Sequence, residues 1–181
     1  SYVAAMSGLQ KLEDRAVVAR PTRFDSVAGM VEDAGTGLAA HADRTFALSV
    51  SARCDRERPE LCVDHAIVGE VAENLLNNAM RYSESTLQIG LDLQGNQASL
   101  TVEDDGPGIA PEARETVFEP FVRLDPSRDR ATGGCGLGLA IVYSIAQAMG
   151  GTVHCEESEL GGARFCFNWP VYHNIALPVP V

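Results

Sequence analysis

Glu70, Asn74 and Asn78 recur at four-residue intervals, and Arg81 and Tyr82 follow within the next turn. On a helix that spacing sets a polar edge beside the apolar series Val68, Val71, Leu75 and Ala79. Neutral amide oxygens can help hold magnesium already neutralised by phosphates, and an arginine can contact phosphate directly. The same spacing also suits a solvated amphipathic helix with ordinary caps and side-chain bonds. A second group opens with Asp104-Asp105-Gly106-Pro107-Gly108-Ile109 and closes with Gly133-Gly134-Cys135-Gly136-Leu137-Gly138-Leu139. Asp104 can accept from an exocyclic amine, while Gly106 and Gly108 let backbone enclose a flat base. Gly134, Gly136 and Gly138 can fold close to phosphates and begin the next helix. Taken alone, the first glycine run is also compatible with a plain turn. Between the two lie Phe118-Glu119-Pro120-Phe121 and a polar, lid-like run containing Arg123, Arg128 and Arg130. An acidic loop before such a run and a glycine cluster after it suggest a nucleotide pocket. The cluster is not a Walker A loop, for it lacks the Gly-Lys-Ser/Thr ending, and no dinucleotide-binding strand-turn-helix precedes it.

The elements that must position these groups follow from periodicity. Val27, Val31, Ala34 and Leu38 recur at helical spacing from Phe24 to about Ala40, with Asp25 as the candidate N-cap, although Gly29, Gly35 and Gly37 weaken that helix. Phe46, Leu48, Val50 and Ala52 alternate as in a strand, and a short strand is expected near Leu61–Val63. Asp64 can cap a helix running to about Tyr82. Leu87, Ile89, Leu91 and Leu93 form one period-two series and Ala98, Leu100 and Val102 another, with Gln94-Gly95-Asn96 as the hairpin turn. Leu137 to Met149 reads as a helix stopped by Gly150-Gly151. Val153 and Cys155, then Phe165, Phe167 and Trp169, read as strands around a Gly161-Gly162 turn. The pattern indicates a layered α+β domain, with helices covering one face of a mixed, mainly antiparallel sheet.

Length and composition are those of one globular domain with a short appended piece. The 181 residues are 45% hydrophobic, and acidic residues exceed basic ones by 25 − 14 = 11. That excess argues against a nucleic-acid partner. Lys11 is the sole lysine, so further phosphate contacts must come from arginine or backbone. The five cysteines form no close metal-binding cluster in sequence, and their odd number favours free thiols in a reducing compartment. Cys135 stands apart because it lies among the glycines.

Four blocks carry a specific resemblance. Asn74-Leu75-Leu76-Asn77-Asn78-Ala79-Met80-Arg81-Tyr82 resembles an N box, Asp104 to Ile109 a G1 box, Phe118 to Phe121 an F box and Gly134 to Leu139 a G2 box. Gly161-Gly162-Ala163-Arg164-Phe165 resembles the closing glycine segment that precedes the last strand. In this order they resemble the ATP-binding catalytic domain of bacterial sensor histidine kinases, within the gyrase, Hsp90, histidine kinase and MutL ATPase superfamily. The stretch from Phe118 to Arg130 followed by Gly133 to Val142 is similar to RstB-type sensors. The resemblance implies a Bergerat-type two-layer α/β sandwich that binds ATP and Mg2+. It implies Asn78 as the magnesium ligand, Asn74 near metal and phosphates, and Glu70 orienting water or assisting proton transfer. Arg81 and Tyr82 become phosphate and nucleotide-edge contacts, and Asp104 reads adenine in a pocket shaped by Gly106 and Gly108. Ile109, Leu137 and Leu139 supply apolar neighbours, Gly134, Gly136 and Gly138 the phosphate-side backbone, and Arg128 and Arg130 reach the terminal phosphate from the lid.

The phosphoacceptor is missing from this sequence. His41, His65, His154 and His173 all lack the His-Glu/Asp and Thr-Pro setting of the family's nucleophile. The resemblance therefore implies a separate dimerisation and phosphoacceptor domain upstream, a homodimeric full-length protein, a response regulator as partner, and an inner-membrane sensor whose cytoplasmic part includes this domain. Residues 1–21 are expected to be the tail of a dimerisation helix and a linker, 22–170 the catalytic domain, and 171–181 a C-terminal extension. Two other readings stay open at this point: a water-using ATPase of the same superfamily, and a non-catalytic protein-binding module.

Overall fold

Strand and helix patterns alternate along the chain and resolve into two layers. The computed structural model describes residues 19–40, 42, 47–55, 60–124 and 136–171. In chain order these form β1 (Arg20–Arg23), α1 (Phe24–Ala40), β2 (Ala47–Cys54), β3 (Glu60–Val63), α2 (His65–Tyr82), β4 (Thr86–Gln94), β5 (Gln97–Asp104), α3 (Gly138–Ala148), β6 (Thr152–Glu157) and β7 (Ala163–Pro170). Two single-turn 3₁₀ segments, Pro111–Ala113 and Thr116–Phe118, lead toward the lid. Phe46, expected in a strand, lies outside the described residues.

Five strands make one sheet in the order β2-β4-β5-β7-β6. β2 and β4 pair in parallel and every other neighbouring pair is antiparallel. This is the mixed, mainly antiparallel α+β arrangement that the sequence patterns indicate. β1 and β3 form a separate two-stranded ribbon, with Arg20 opposite Val63. Thus Arg20 and Pro21, assigned from sequence to the linker, pair with the body of the domain.

One face of the sheet carries the core. Leu87, Ile89, Leu91 and Leu93 of β4, Leu100 and Val102 of β5, and Phe165, Phe167 and Trp169 of β7 are buried against the helices, as the pleat requires. From above, α2 inserts Val68, Val71, Leu75, Leu76 and Ala79. The weak helix former α1 is held by packing. A Cβ on Gly35 would lie 2.7 Å from Ile89 Cδ1 and 3.2 Å from Leu48 Cδ2, so the missing side chain lets the helix lie close to the sheet. Burial of Phe24, Val27 and Val31 offsets an intrinsic cost of about 1 kcal/mol per glycine. Asp25 differs from its expected role. The helix starts at Phe24, which puts Asp25 inside the first turn, and Arg23 holds its carboxylate at 2.6 Å.

Candidate nucleotide site

The site is built outward from the start of α2. Asp64 is its N-cap, with Oδ1 accepting from the amides of Ala66 at 3.0 Å and Ile67 at 3.3 Å. With the helix phase fixed by that cap and its buried stripe, Asn74, Asn77, Asn78, Arg81 and Tyr82 line an open cleft of about 580 Å³. Asn74 Nδ2 donates to the Glu70 carbonyl at 2.8 Å. Its Oδ1 faces Gly138, 2.9 Å from where a Cβ would stand. Glu70 is not among the residues lining this cleft; its carbonyl accepts from the Asn74 amide and so orients it.

Asp104 ends β5 in phase with Ala98, Leu100 and Val102, so it turns to the helix side and is only 1% exposed. Its Oδ1 accepts from the amides of Gly106 at 2.9 Å and Ala163 at 3.2 Å. Burial pushes its pKa above the ordinary 3.8, and the two amide bonds pull part of the way back. Oδ2 takes no hydrogen bond among the described residues. One oxygen is therefore a fixed hinge, and the carboxylate sits in the wall of the cleft with acceptor capacity to spare. Gly162 makes this possible: any Cβ there would collide with the Asp104 carbonyl and Oδ1 and with the Gly106 amide. Gly106 supports the carboxylate from behind, packed on the Tyr82 carbonyl, and does not itself line the cleft.

The adjacent acid does different work. Asp105 accepts from the amides of Glu84 at 2.8 Å and Ser85 at 3.0 Å, and from the Ser85 hydroxyl at 2.8 Å. Partial desolvation pushes its pKa up, but these bonds and one from the Thr86 amide outweigh it, leaving the carboxyl well below the usual range. Asp105 thereby ties the turn after α2 to the end of β5, joining the elements that carry Tyr82 and Asp104. Two adjacent acids in sequence give no sign of this division of labour.

The described residues on either side of the stretch expected to form a lid meet at a neck. The Phe121 amide donates to the Gly136 carbonyl at 2.9 Å, and Phe121 adopts a positive φ of 67°. For a bulky residue that conformation costs on the order of 1 kcal/mol or more, so the neck is held against local strain. Phe118 anchors its near side in the core, edge-on to Phe165 with ring centroids 6.1 Å apart.

The cleft thus brings together Asn74, Asn78, Arg81, Tyr82, Asp104, Gly108, Ile109, Gly136, Leu137, Gly138 and Leu139 of the expected site. Arg128, Arg130, Gly134 and Cys135 lie outside the described residues. Asn77, Pro107, Val117, Val122, Arg123, Leu124 and Ala163 also line it; of these, Asn77, Pro107, Arg123 and Ala163 fall in runs quoted from the sequence, without having been assigned to the site. The model of the histidine kinase-, DNA gyrase B- and HSP90-like ATPases matches residues 63–173, spanning every one of these groups. The chain belongs to that family.

Relatives of this ATPase-family domain are sensor proteins. It is 70% identical over 113 residues to sensor protein RstB of Escherichia coli (strain K12), covering 62% of this chain and 26% of RstB. It is 47% identical over 100 residues to sensor histidine kinase CpxA of the same organism, covering 55% of this chain and 22% of CpxA. The chain therefore spans about a quarter of the length of these relatives. Among solved structures, full-length ShkA in complex with AMPPNP superposes with a TM-score of 0.75 at 26% identity, over 96% of this chain and 36% of ShkA.

Among the described residues, no histidine and no cysteine lines the cleft. His65 begins α2 and is exposed, and His154 is exposed on β6; neither lines the cleft. His41 and His173 lie outside the described residues. Cys54, Cys155 and Cys166 are free thiols. Burial pushes Cys155 up to about 12 and Cys166 up to about 11, so both are protonated at neutral pH.

Proposed function

We propose that this chain is the ATP-binding catalytic domain of a sensor histidine kinase, passing the ATP γ-phosphoryl group to a histidine on a separate dimerisation domain. The observation that carries this reading is Asp104, buried and held by one oxygen while its carboxylate forms part of the cleft wall. Oδ2 accepts from the adenine amine, and Ile109, Leu137 and Leu139 flank the base. Arg81, Arg123 and Tyr82 meet the phosphates and the nucleotide edge, and Arg128 and Arg130 approach the terminal phosphate from the lid. The neutral amide oxygens of Asn74 and Asn78 suit magnesium, whose charge the phosphates already meet. Bound there, magnesium would offset charge on the transferring group. Glu70, one turn upstream, assists by fixing Asn74 and by orienting water or moving a proton.

Chemistry in this reading needs an incoming imidazole. Its nitrogen attacks the γ-phosphorus in line, the bond to the β–γ bridging oxygen breaks, and ADP leaves. The phosphoryl group then passes to an aspartate of a response regulator. The upstream domain, homodimerisation and an inner-membrane sensor region belong to the longer parent, with this domain in the cytoplasm. Among the described residues no helix is long and apolar enough to cross a membrane.

The test supplies the parent's dimerisation domain. Incubated with γ-labelled ATP and magnesium, the chain alone should retain no label and turn over slowly, because positioning of the nucleophile supplies much of the rate. Adding the dimerisation domain should place acid-labile, base-stable label on that domain. Rapid release of inorganic phosphate by the chain alone, with no label transferred, would overturn the reading in favour of a water-using ATPase.

A further inference from the structure

The face of the sheet turned away from the helices holds a second cluster of chemistry-bearing side chains. β6 and β7 pair antiparallel with His154 directly opposite Cys166, and Glu156 lies two residues along β6 on the same side. One donor atom from each, an imidazole nitrogen, the Cys166 sulfur and a carboxylate oxygen, lies within 4.8 Å of the other two. His154 is exposed and Cys166 is buried. Phe165 and Phe167, the neighbours of Cys166, turn into the core. Asp104 and Ala163 reach the cleft from that same core side, so the cluster is separated from the cleft by the thickness of the sheet.

We propose that His154, Glu156 and Cys166 form a binding site for a divalent cation of the zinc class. The donor set argues for the metal. A sulfur with an imidazole and one carboxylate disfavours magnesium and calcium, which take oxygen ligands, and suits zinc or cobalt. Bond lengths of about 2.0–2.3 Å in a tetrahedron require donors roughly 3.3–3.8 Å apart. The cluster must close by about 1 Å, within reach of side-chain rotation on two hydrogen-bonded strands. Three protein donors leave the fourth position to water.

Charge and bonding on this face can accommodate the ion. Cys166 Sγ donates to Glu156 Oε1 at 3.6 Å. Arg164 lies 3.3 Å from Glu156 and 3.7 Å from Glu103. On binding, the Cys166 S–H bond breaks, its proton goes to solvent and the sulfur electron pair is donated to the cation. Thiolate and carboxylate then balance the two positive charges. Arg164 gives up Glu156 and keeps Glu103, whose other oxygen accepts from the Ser158 hydroxyl at 2.9 Å. No lost contact leaves a buried charge alone.

Cobalt(II) is the probe, because a thiolate ligand gives it a near-ultraviolet charge-transfer band and a tetrahedral field gives visible d–d bands. Titration of the intact reduced chain should produce both, saturating at one equivalent and erased by zinc. Cys166→Ser should abolish the near-ultraviolet band, and His154→Ala should weaken binding about tenfold or more. Both variants should keep the parent's affinity for ATP, measured in parallel as the control for folding. If Cys166→Ser does not fold, the exposed position His154 decides the matter alone. Absence of a thiolate band, its survival in Cys166→Ser, or indifference to His154→Ala would each overturn the proposal.

Discussion

Asp104 and Asp105 are adjacent carboxylates pushed in opposite directions by their surroundings. Burial lifts the first above its ordinary value, while donated hydrogen bonds hold the second below it. For Asp105, a folded-state pKa below the unfolded 3.8 means a contribution to stability that is present above pH 3.8 and lost as pH falls through the folded value. Asp105→Ala should therefore lower stability by about 1 kcal/mol at pH 7, a figure discounted for its contact with solvent. Chemical denaturation of both proteins at pH 7 and again well below pH 3.8 checks this; the gap should narrow in acid. A gap that stays constant across the range would assign the effect to packing. Asp104 is legible in sequence because it continues the apolar phase of β5, where a carboxylate needs a reason to be. The bonds of Asp105 are not legible, for its partners lie some 20 positions back in a turn.

At the scale of elements, glycines on one helix have opposite meanings. Gly29 meets no atom within 4 Å of a built Cβ, whereas the same atom on Gly35 presses into Ile89 and Leu48. Gly29→Ala should raise stability by about 0.5–1 kcal/mol through helix propensity. Gly35→Ala should lower it by about 1 kcal/mol or more, because the sheet beneath is already filled. Thermal melts of the two variants are the measurement, and a shift of the same sign in both would contradict the packing described for α1. Helical spacing sets Gly35 four residues past Val31 and so on the apolar stripe; what the sequence does not show is how tightly Ile89 and Leu48 fill the space beneath it. The long period-two runs and the capped α2 were legible because pattern and boundary signals agree there. β1 was not, because Arg20-Pro21-Thr22-Arg23 has no apolar alternation and pairs with a strand about 40 residues away.

Across the whole molecule, the site is where five separated stretches meet: the edge of α2, the end of β5, the neck of the lid, the start of α3 and the Gly162–Ala163 corner. The resemblance supplies the corner's membership, and the structure adds the reason, an amide donated to Asp104 and a glycine that leaves room for it. The apolar wall at Val117 and Val122 was not legible, since it comes from short turns without periodicity. A chain with a net charge of −11 needs arginine and oriented amides wherever a polyanion is to bind, and among the described residues Arg81 and Arg123 line this cleft. Calorimetric titration of ATP with magnesium into the intact chain and into Asp104→Asn tests recognition there most directly. The asparagine keeps an oxygen for the amides of Gly106 and Ala163 but presents an NH2 group, the wrong sign, to an amine. It also removes a buried ionisation: a folded pKa above 3.8 means that stability is lost as pH rises from 3.8 through the folded value, and the loss is complete above it. The variant should thus melt at or above the parent's temperature at pH 7 while binding ATP about 10–100-fold more weakly. Equal ATP affinity in the two folded proteins, or none in the parent, would contradict the account.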